Sequence, residues 1–469
     1  MKRSGFRIYC QVSGFTARFQ DLLTDTLMTN GENQVAAHAA LGFLIQLAKN
    51  EPRFLRLQLV EVVNTMFEIA EAKILEEKTR RLAIEFLLTL VEAREKVPGM
   101  MKKLPRFIDA CFTMFLNLIL DTKDEPTWHT AEGAEINDHI NRYRDRWTVD
   151  NYLYGAICLR RFAKALGGNT TPIAIEQLSS YVVAPEWEKR HAALMALAQI
   201  AKCSSKVMMI KYLEQVVNMV LHSFRDSHPR VRWAAINAIV YLSTDFCPDL
   251  QEQYHNQVLP ELAAAMDDFQ NPRVQACAAT ASVMFLLALK EPISSSHIDR
   301  ILNKLFVLLQ NDNQMVQDEA LFALGSVAYF YKEHFQKYYD FVMPYLKTIL
   351  VNANDESNQM LQSKVLLCIS NVALAAGKEK FRDDLKQVME VLKYSLQESH
   401  VTEYTNILRC LKASYGICVC IGKEFLPYMS IVMPYAVECA QLEPDKTVSS
   451  DKLYDRSLRQ NYVKRYCRN

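Results

Sequence analysis

Residues able to do covalent chemistry are present in this chain, but none stands at a reactive spacing. Catalysis needs a nucleophile, a base and an orienting group that converge, or a metal cluster. The ten histidines are dispersed, and the twelve cysteines include no CxxC; the closest pair, Cys418 and Cys420, flanks a single valine. There is no HExxH, no GxSxG, no GxxxxGK followed by Ser or Thr, and no glycine-rich phosphate loop. The reading is therefore no enzyme, no cofactor and no metal. His38 and His191 lie among alanines in helical segments and read as packed or rim histidines. Met343 and Met433 each precede a proline and read as core filler. The cysteines read as reduced, mostly buried thiols of a cytosolic or nuclear protein.

Such a chain must work by binding, and its composition says what kind of frame does so. It has 469 residues, 50% hydrophobic and 23% charged, with 13 Gly and 15 Pro. Few glycines and prolines favour long helices over a loop-rich β fold. The net charge of +1 implies no overall pull toward nucleic acid or membrane. No uninterrupted apolar run approaches the ~20 residues that span a bilayer, so no membrane insertion is expected. The start, MKRSGFRIYC, has no long apolar core, so no signal peptide is expected.

The organising stretch runs from Lys211 to Leu289. Each half is a pair of apolar-periodic segments around a short polar turn. Val231 in HPRVRWAA and Val274 in NPRVQACAA hold equivalent places, a period of 43. Two helices per unit at a period in the low forties is the signature of HEAT-type repeats. The fold expected is all-α, an α-solenoid superhelix of about nine HEAT helix pairs, second helices lining the concave face.

Along the chain, residues 1–14 form an N-terminal segment and 15–120 hold repeats, beginning with FTARFQDLLTDTLMTN. Nothing before Phe15 resembles a polar capping repeat, which suggests a piece of a longer array. Pro52 stands just inside a helix start. Residues 121–150 interrupt the third pair as an insertion or long loop, and its partner helix ends at Gly167-Gly168. Repeats continue over 151–445, ending in a first helix without a clear partner. The tail 446–469 reads as basic and disordered; Lys464, Arg465 and Arg468 suit a solvated tail better than nucleic-acid binding or targeting. Asp226 and Arg232 suit a polar ladder between units. Trp233 reads as inter-repeat filler or a cargo-facing aromatic, and Asn237, one turn on, as a further concave-face candidate.

The segments QVVNMVLHSFRDSHPRVRWAAINAI, LPELAAAMDDFQNPRVQACAA, EWEKRHAALMALAQIAK and EHFQKYYDFVMPYLKTILVNA resemble the importin-beta (karyopherin-beta) nuclear transport receptors, nearest the importin five or beta-3 branch and plant-like. The resemblance covers roughly Phe19 to Pro444 and only an inner portion of such receptors. It implies protein cargo with a basic localisation signal on the concave face and Phe-Gly repeats of the nuclear pore on the outer face. It also implies release by Ran GTPase, whose binding the missing N-terminal repeats put in doubt, and a life between cytoplasm and nucleus. What matters in such a mechanism is differential affinity between linked ligands.

In this branch, lysines of the signal meet acidic or amide side chains near the ends of consecutive second helices. Carried onto this sequence, the cargo row is Arg160 in CLRRFA, Lys202 in IAKC, Asp245 in TDF and Met284 in VMFLL. The spacings of 42, 43 and 39 put the four at equivalent places in successive units. Two cations and a thioether stand where the branch has acids or an amide. Like-charge juxtaposition costs about 2–5 kcal/mol in an interface, so weakened binding of lysine-rich signals is expected. Tyr329 and Leu367 likewise replace acids. The insertion lacks a strong acid run: Asp124, Glu125, Glu132 and Glu135 are followed by Arg142, Arg144 and Arg146. A divergent paralogue with altered cargo choice fits this drift, as does a decaying gene copy. The alternative function is a HEAT scaffold without transport activity, which need not bind Phe-Gly repeats.

Overall fold

A computed structural model describes residues 31–131, 150–201, 203, 206–287, 289, 295–353, 358–398 and 404–441. The proposed helix from Phe15, Lys202, most of the insertion and the basic tail lie outside the described residues. Most of those described are helical, with no strand among them. The chain divides into two compact units, Met1–Thr122 with Asp145–Tyr212, and Lys123–Arg144 with Leu213–Asn469.

The first unit contains α1 (Gly31–Asn50), α2 (Leu59–Glu71), α3 (Glu77–Glu92) and α4 (Phe107–Ile119). A one-turn helix, α5 (Pro126–Thr130), belongs to the second unit, and the first resumes with α6 (Asn151–Leu166), α7 (Thr170–Val182) and α8 (Trp187–Ala201). Helices α1, α3, α6 and α8 pack in succession as one layer, with α2, α4 and α7 against them. Asp150 caps α6 by accepting from the Leu153 amide at 2.8 Å, and Gly167 at φ +57° ends it. Pro52 opens a 3₁₀ turn rather than the long helix expected; that turn buries Pro52 and Leu55 against α1 before α2 starts.

The second unit repeats this pattern. After α9 (Lys206–His222) come α10 (Pro229–Asp245), α11 (Asp249–Ala265), α12 (Pro272–Leu286) and α13 (Ser295–Leu308). Then follow α14 (Gln314–Phe330), α15 (Tyr339–Asn352), α16 (Gln359–Ala376), α17 (Lys378–Glu398), α18 (Tyr404–Ile421) and α19 (Met429–Gln441). Helices α10, α12, α14, α16 and α18 pack each on the next, and α11, α13, α15 and α17 pack against them.

Composition explains the division of labour. Every residue of α12 from Val274 to Leu286 is buried, because Ala-rich helices pack close on both sides. In α13 only Ile298, Ile301, Leu302, Leu305, Phe306 and Leu308 are buried, one stripe at helical spacing. Pro229 and Pro272 open α10 and α12 at the position that tolerates a missing N–H. The 43-residue period thus marks equivalent helix starts, and the chain folds as a HEAT-repeat solenoid, all-α. The segments Gln359–Ala376 and Thr405–Gln441 are long and apolar enough to cross a membrane by length and composition. The apolar surface of α16 is taken up by α14, α15, α17 and α18, and Pro427 and Pro434 interrupt the second segment.

Polar ties run between repeats. Arg232 donates to the Asp268 carboxylate at 2.6 and 2.9 Å and to the backbone carbonyls of Asp226 and Ser227 at 2.8 and 3.2 Å. The ladder carboxylate of Arg232 is therefore Asp268 of the following repeat, while Asp226 offers it a carbonyl. Arg190 holds the carbonyls of Ala184 and Pro185 in the same manner.

Candidate functional site

In the first unit, α6 and α8 bring Arg160 onto Gln199. Both Nε and Nη2 of Arg160 donate to the Gln199 amide oxygen, at 3.0 and 2.8 Å. Gln199 is buried, so the guanidinium lies along the next second helix, with its positive charge half-buried. One turn from the α8 start, His191 is buried, stacked on Tyr152 at 5.7 Å and within 3.2 Å of its hydroxyl. This is the packed histidine expected. Lys202 lies outside the described residues.

In the second unit, Trp233, Asn237, Tyr241 and Asp245 stand four residues apart on α10, all half-buried, and so form one stripe. The stripe offers an indole, an amide, a phenol and a carboxylate, which suits an extended peptide with apolar and cationic groups. Met284 differs from its sequence reading: it is 6% exposed, packed within α12, and presents little to a partner. Which side of a helix stays open depends on how closely its neighbours pack, and α12 is covered on nearly all sides. Tyr329 is half-buried with Lys332 5.5 Å from its ring, and Leu367 is half-buried. Met343 is core, whereas Met433 is 44% exposed on α19, contrary to its reading as filler.

Nothing local in the sequence marks where the insertion goes. Its start docks on the N-terminal ends of α10, α12 and α14. Asp124 accepts from His129 Nε2 at 2.7 Å, Arg230 Nε at 3.2 Å and His228 Nε2 at 3.3 Å. His228 Nδ1 accepts the Arg230 amide at 3.3 Å, capping α10, which leaves the proton on Nε2 for Asp124. Burial would raise the Asp124 carboxyl, but the hydrogen bonds from His129 and His228, and their charge when protonated, outweigh it and hold it below the usual range. Trp128 is 7% exposed. Its ring lies 4.7 Å from the Arg230 guanidinium, 5.7 Å from that of Arg273 and edge-on to Trp233 at 6.2 Å. Arg273 Nε donates to the Trp128 carbonyl at 2.8 Å, and Asn313 Nδ2 to that of Thr130 at 3.2 Å. Trp233 thus faces Trp128, a third role beside the two expected of it. The only signal in the sequence was a large aromatic within a polar stretch.

Among the described residues no group of three His, Cys, Asp or Glu could hold a metal. Burial pushes the Cys111 and Cys277 thiols far above their ordinary range, and those of Cys368 and Cys410 up to about 12, so none is a ready nucleophile. On the other layer, α13 and α15 expose Val307 (50%), Phe341 (50%) and Tyr345 (41%). Phe341 lies 5.1 Å from Phe306 and 5.4 Å from Tyr345. This is an apolar strip with aromatic edges.

Residues 191–467 match the family model described as importin subunit beta-1-like, TPR repeats, and residues 72–172 match the importin repeat model. Importin subunit beta-3 of Saccharomyces cerevisiae is 29% identical over 408 residues, covering 86% of this chain and 36% of the relative. The probable importin-5 homolog of Dictyostelium discoideum is 22% identical over 432 residues, covering 91% of this chain and 39% of the relative. The crystal structure of Kap121p aligns at a TM-score of 0.80 and 25% identity, over 95% of this chain and 41% of that one. Kap121p bound to Pho4p and Kap121p bound to Nup53p align equally well. The chain therefore spans well under half the length of these relatives.

Proposed function

The chain belongs to the importin-beta family, and from that premise we propose that it acts as a nuclear import receptor, binding protein cargo along its second helices. The observation that carries this reading is the alignment of nearly the whole chain with Kap121p, a protein crystallised with Pho4p and with Nup53p. Cargo binding would use Arg160, Lys202, Asp245 and the α10 stripe with Trp233 and Asn237, with Met284 contributing little from its buried place. The Phe-Gly repeats of the nuclear pore would use the strip of Val307, Phe341 and Tyr345 between α13 and α15, where exposed apolar edges can take phenylalanine rings. Release would follow from Ran GTPase binding, and the protein would move between cytoplasm and nucleus. No covalent step is needed.

The charge of the cargo row sets the specificity. Arg160 supplies a cation where a lysine ammonium needs an acceptor, and Asp245 alone supplies a carboxylate. Lysine-rich signals therefore bind weakly, and cargo is chosen on other grounds.

The test is retention of the purified chain on immobilised Phe-Gly repeats, followed by binding of a lysine-rich signal peptide with and without Ran loaded with a nonhydrolysable GTP analogue. Retention is expected, and Phe341→Asp with Val307→Asp should reduce it at least fivefold. The signal peptide should bind weakly and gain at least tenfold on Arg160→Asp with Lys202→Glu. No retention on Phe-Gly repeats would overturn the transport reading and leave a scaffold. Tight signal binding by the native chain would overturn the charge argument.

A further inference from the structure

We propose that the helix starts of α10 and α12, through His228, Arg230, Trp233 and Arg273, form a binding site for acidic–aromatic peptide segments, which residues 124–130 of this chain occupy in cis. The inference goes beyond the transport reading and does not rest on it.

The docked segment is recognised in three ways at once. Its carboxylate, Asp124, takes hydrogen bonds from Arg230 and His228. Its indole, Trp128, has two guanidiniums within 6 Å of its ring and a second indole perpendicular to it at 6.2 Å. Its main chain is held by Arg273 at the Trp128 carbonyl and Asn313 at the Thr130 carbonyl. Charge, ring and backbone contacts together are how a peptide is read. Cation–π attraction is strongest for tryptophan, and two cations beside one ring favour an electron-rich ligand. The same cations repel a lysine or arginine at either place.

The segment's own structure cannot account for its position. It has one helical turn, opened by Pro126, and so short a helix has no stability in isolation. Asp124 lies just before that turn, outside its Glu125 N-cap, and is tied back to it by His129 at 2.7 Å. Beyond it Ala131 is buried at φ +55°, a conformation that alanine keeps only when its surroundings impose it. The surface therefore imposes the geometry on the segment. The contacts are ionic, aromatic and main-chain, the kind a second peptide can replace. A tethered segment is present at an effective concentration of about a millimolar, so a contact too weak to hold a free peptide can stay closed in cis. A partner carrying Asp or Glu four residues before Trp, with added contacts of its own, would displace it.

The experiment uses a fluorescent peptide of residues 121–131 with the full chain, native and with Asp124→Asn and Trp128→Ala together. The doubly substituted chain should bind the peptide saturably below about 1 mM, and the native chain at least tenfold more weakly, because its own segment competes. Replacing the aspartate and tryptophan of the peptide by alanine should abolish binding, and a lysine-rich peptide should not bind. Equal binding by both chains, or binding of the lysine-rich peptide as tightly, overturns the proposal. So does no binding by a doubly substituted chain whose helical circular dichroism matches the native. A second measurement does not depend on that variant. Amide exchange over 124–131 should speed up at least tenfold in Arg273→Ala while α13 is unchanged; unchanged exchange over 124–131 also overturns the proposal.

Discussion

Asp299 shows what a single carboxylate does at the seam between two repeats. It accepts from His334 at 2.5 Å, from Lys337 at 3.1 Å and from the Tyr338 hydroxyl. Burial works against its charge, but these donors prevail and hold the carboxyl down at about 2. A carboxyl lowered on folding stabilises the fold above its unfolded value near 4 and loses that contribution as pH falls toward 2. The native chain should therefore be more stable than Asp299→Asn at pH 7, by an amount constant down to pH 5 and shrinking toward pH 3. Thermal melts of both chains across that range give the answer; a difference that grows on acidification contradicts it. At the same scale Arg160 was legible as a cation in the proposed cargo row. Its attachment to Gln199 was not, because nothing local marks a partner 39 residues away.

At the scale of the element, close approach between neighbouring helices decides which glycines matter. A Cβ on Gly155 would stand 2.8 Å from Leu118 Cβ and 2.9 Å from the Phe115 carbonyl, so α6 and α4 would have to part. Overpacking of this kind costs about 1–3 kcal/mol, against the ~1 kcal/mol that alanine contributes to a helix. A Cβ on Gly42 in α1 meets nothing within 4 Å. Gly155→Ala should then destabilise by up to about 2 kcal/mol, and Gly42→Ala should stabilise by about 0.5–1 kcal/mol. Urea titration of the two variants should show midpoints displaced in opposite directions. Helix starts were readable because Pro229 and Pro272 act through their own backbone. Burial of Met284 was not, since it depends on neighbours on both sides of α12.

For the whole molecule, the division into two units implies unfolding that is not two-state. Arg161 in the first unit forks onto Glu85 at 2.7 and 2.9 Å and onto Glu92 at 2.9 and 3.0 Å, tying α6 to α3. Burial opposes its charge, but the two carboxylates overcome that and raise its pKa. Arg161→Ala leaves them facing each other and should cost about 2 kcal/mol. Trp128 and Trp233 report on the second unit, once Trp147 and Trp187 are replaced by Phe. In that background Arg161→Ala should lower one of the transitions seen by circular dichroism and leave the fluorescence midpoint in place. A common shift of both signals would mean one cooperative molecule.

The sequence by itself determined the all-α repeat and its helix pairs. Each of these rests on local information: apolar periodicity, Pro at helix starts, Gly167 at a helix end and motif spacing. The resemblance to the importin-beta family was legible as well, because whole segments carry it. Tertiary structure alone decided which side of each second helix stays open and where the insertion docks. Asp124 meets Arg230 across 106 residues of chain, and Trp128 meets Arg273 across 145. Neither contact has a local signature, because a guanidinium accepts any carboxylate or aromatic face that packing brings to it.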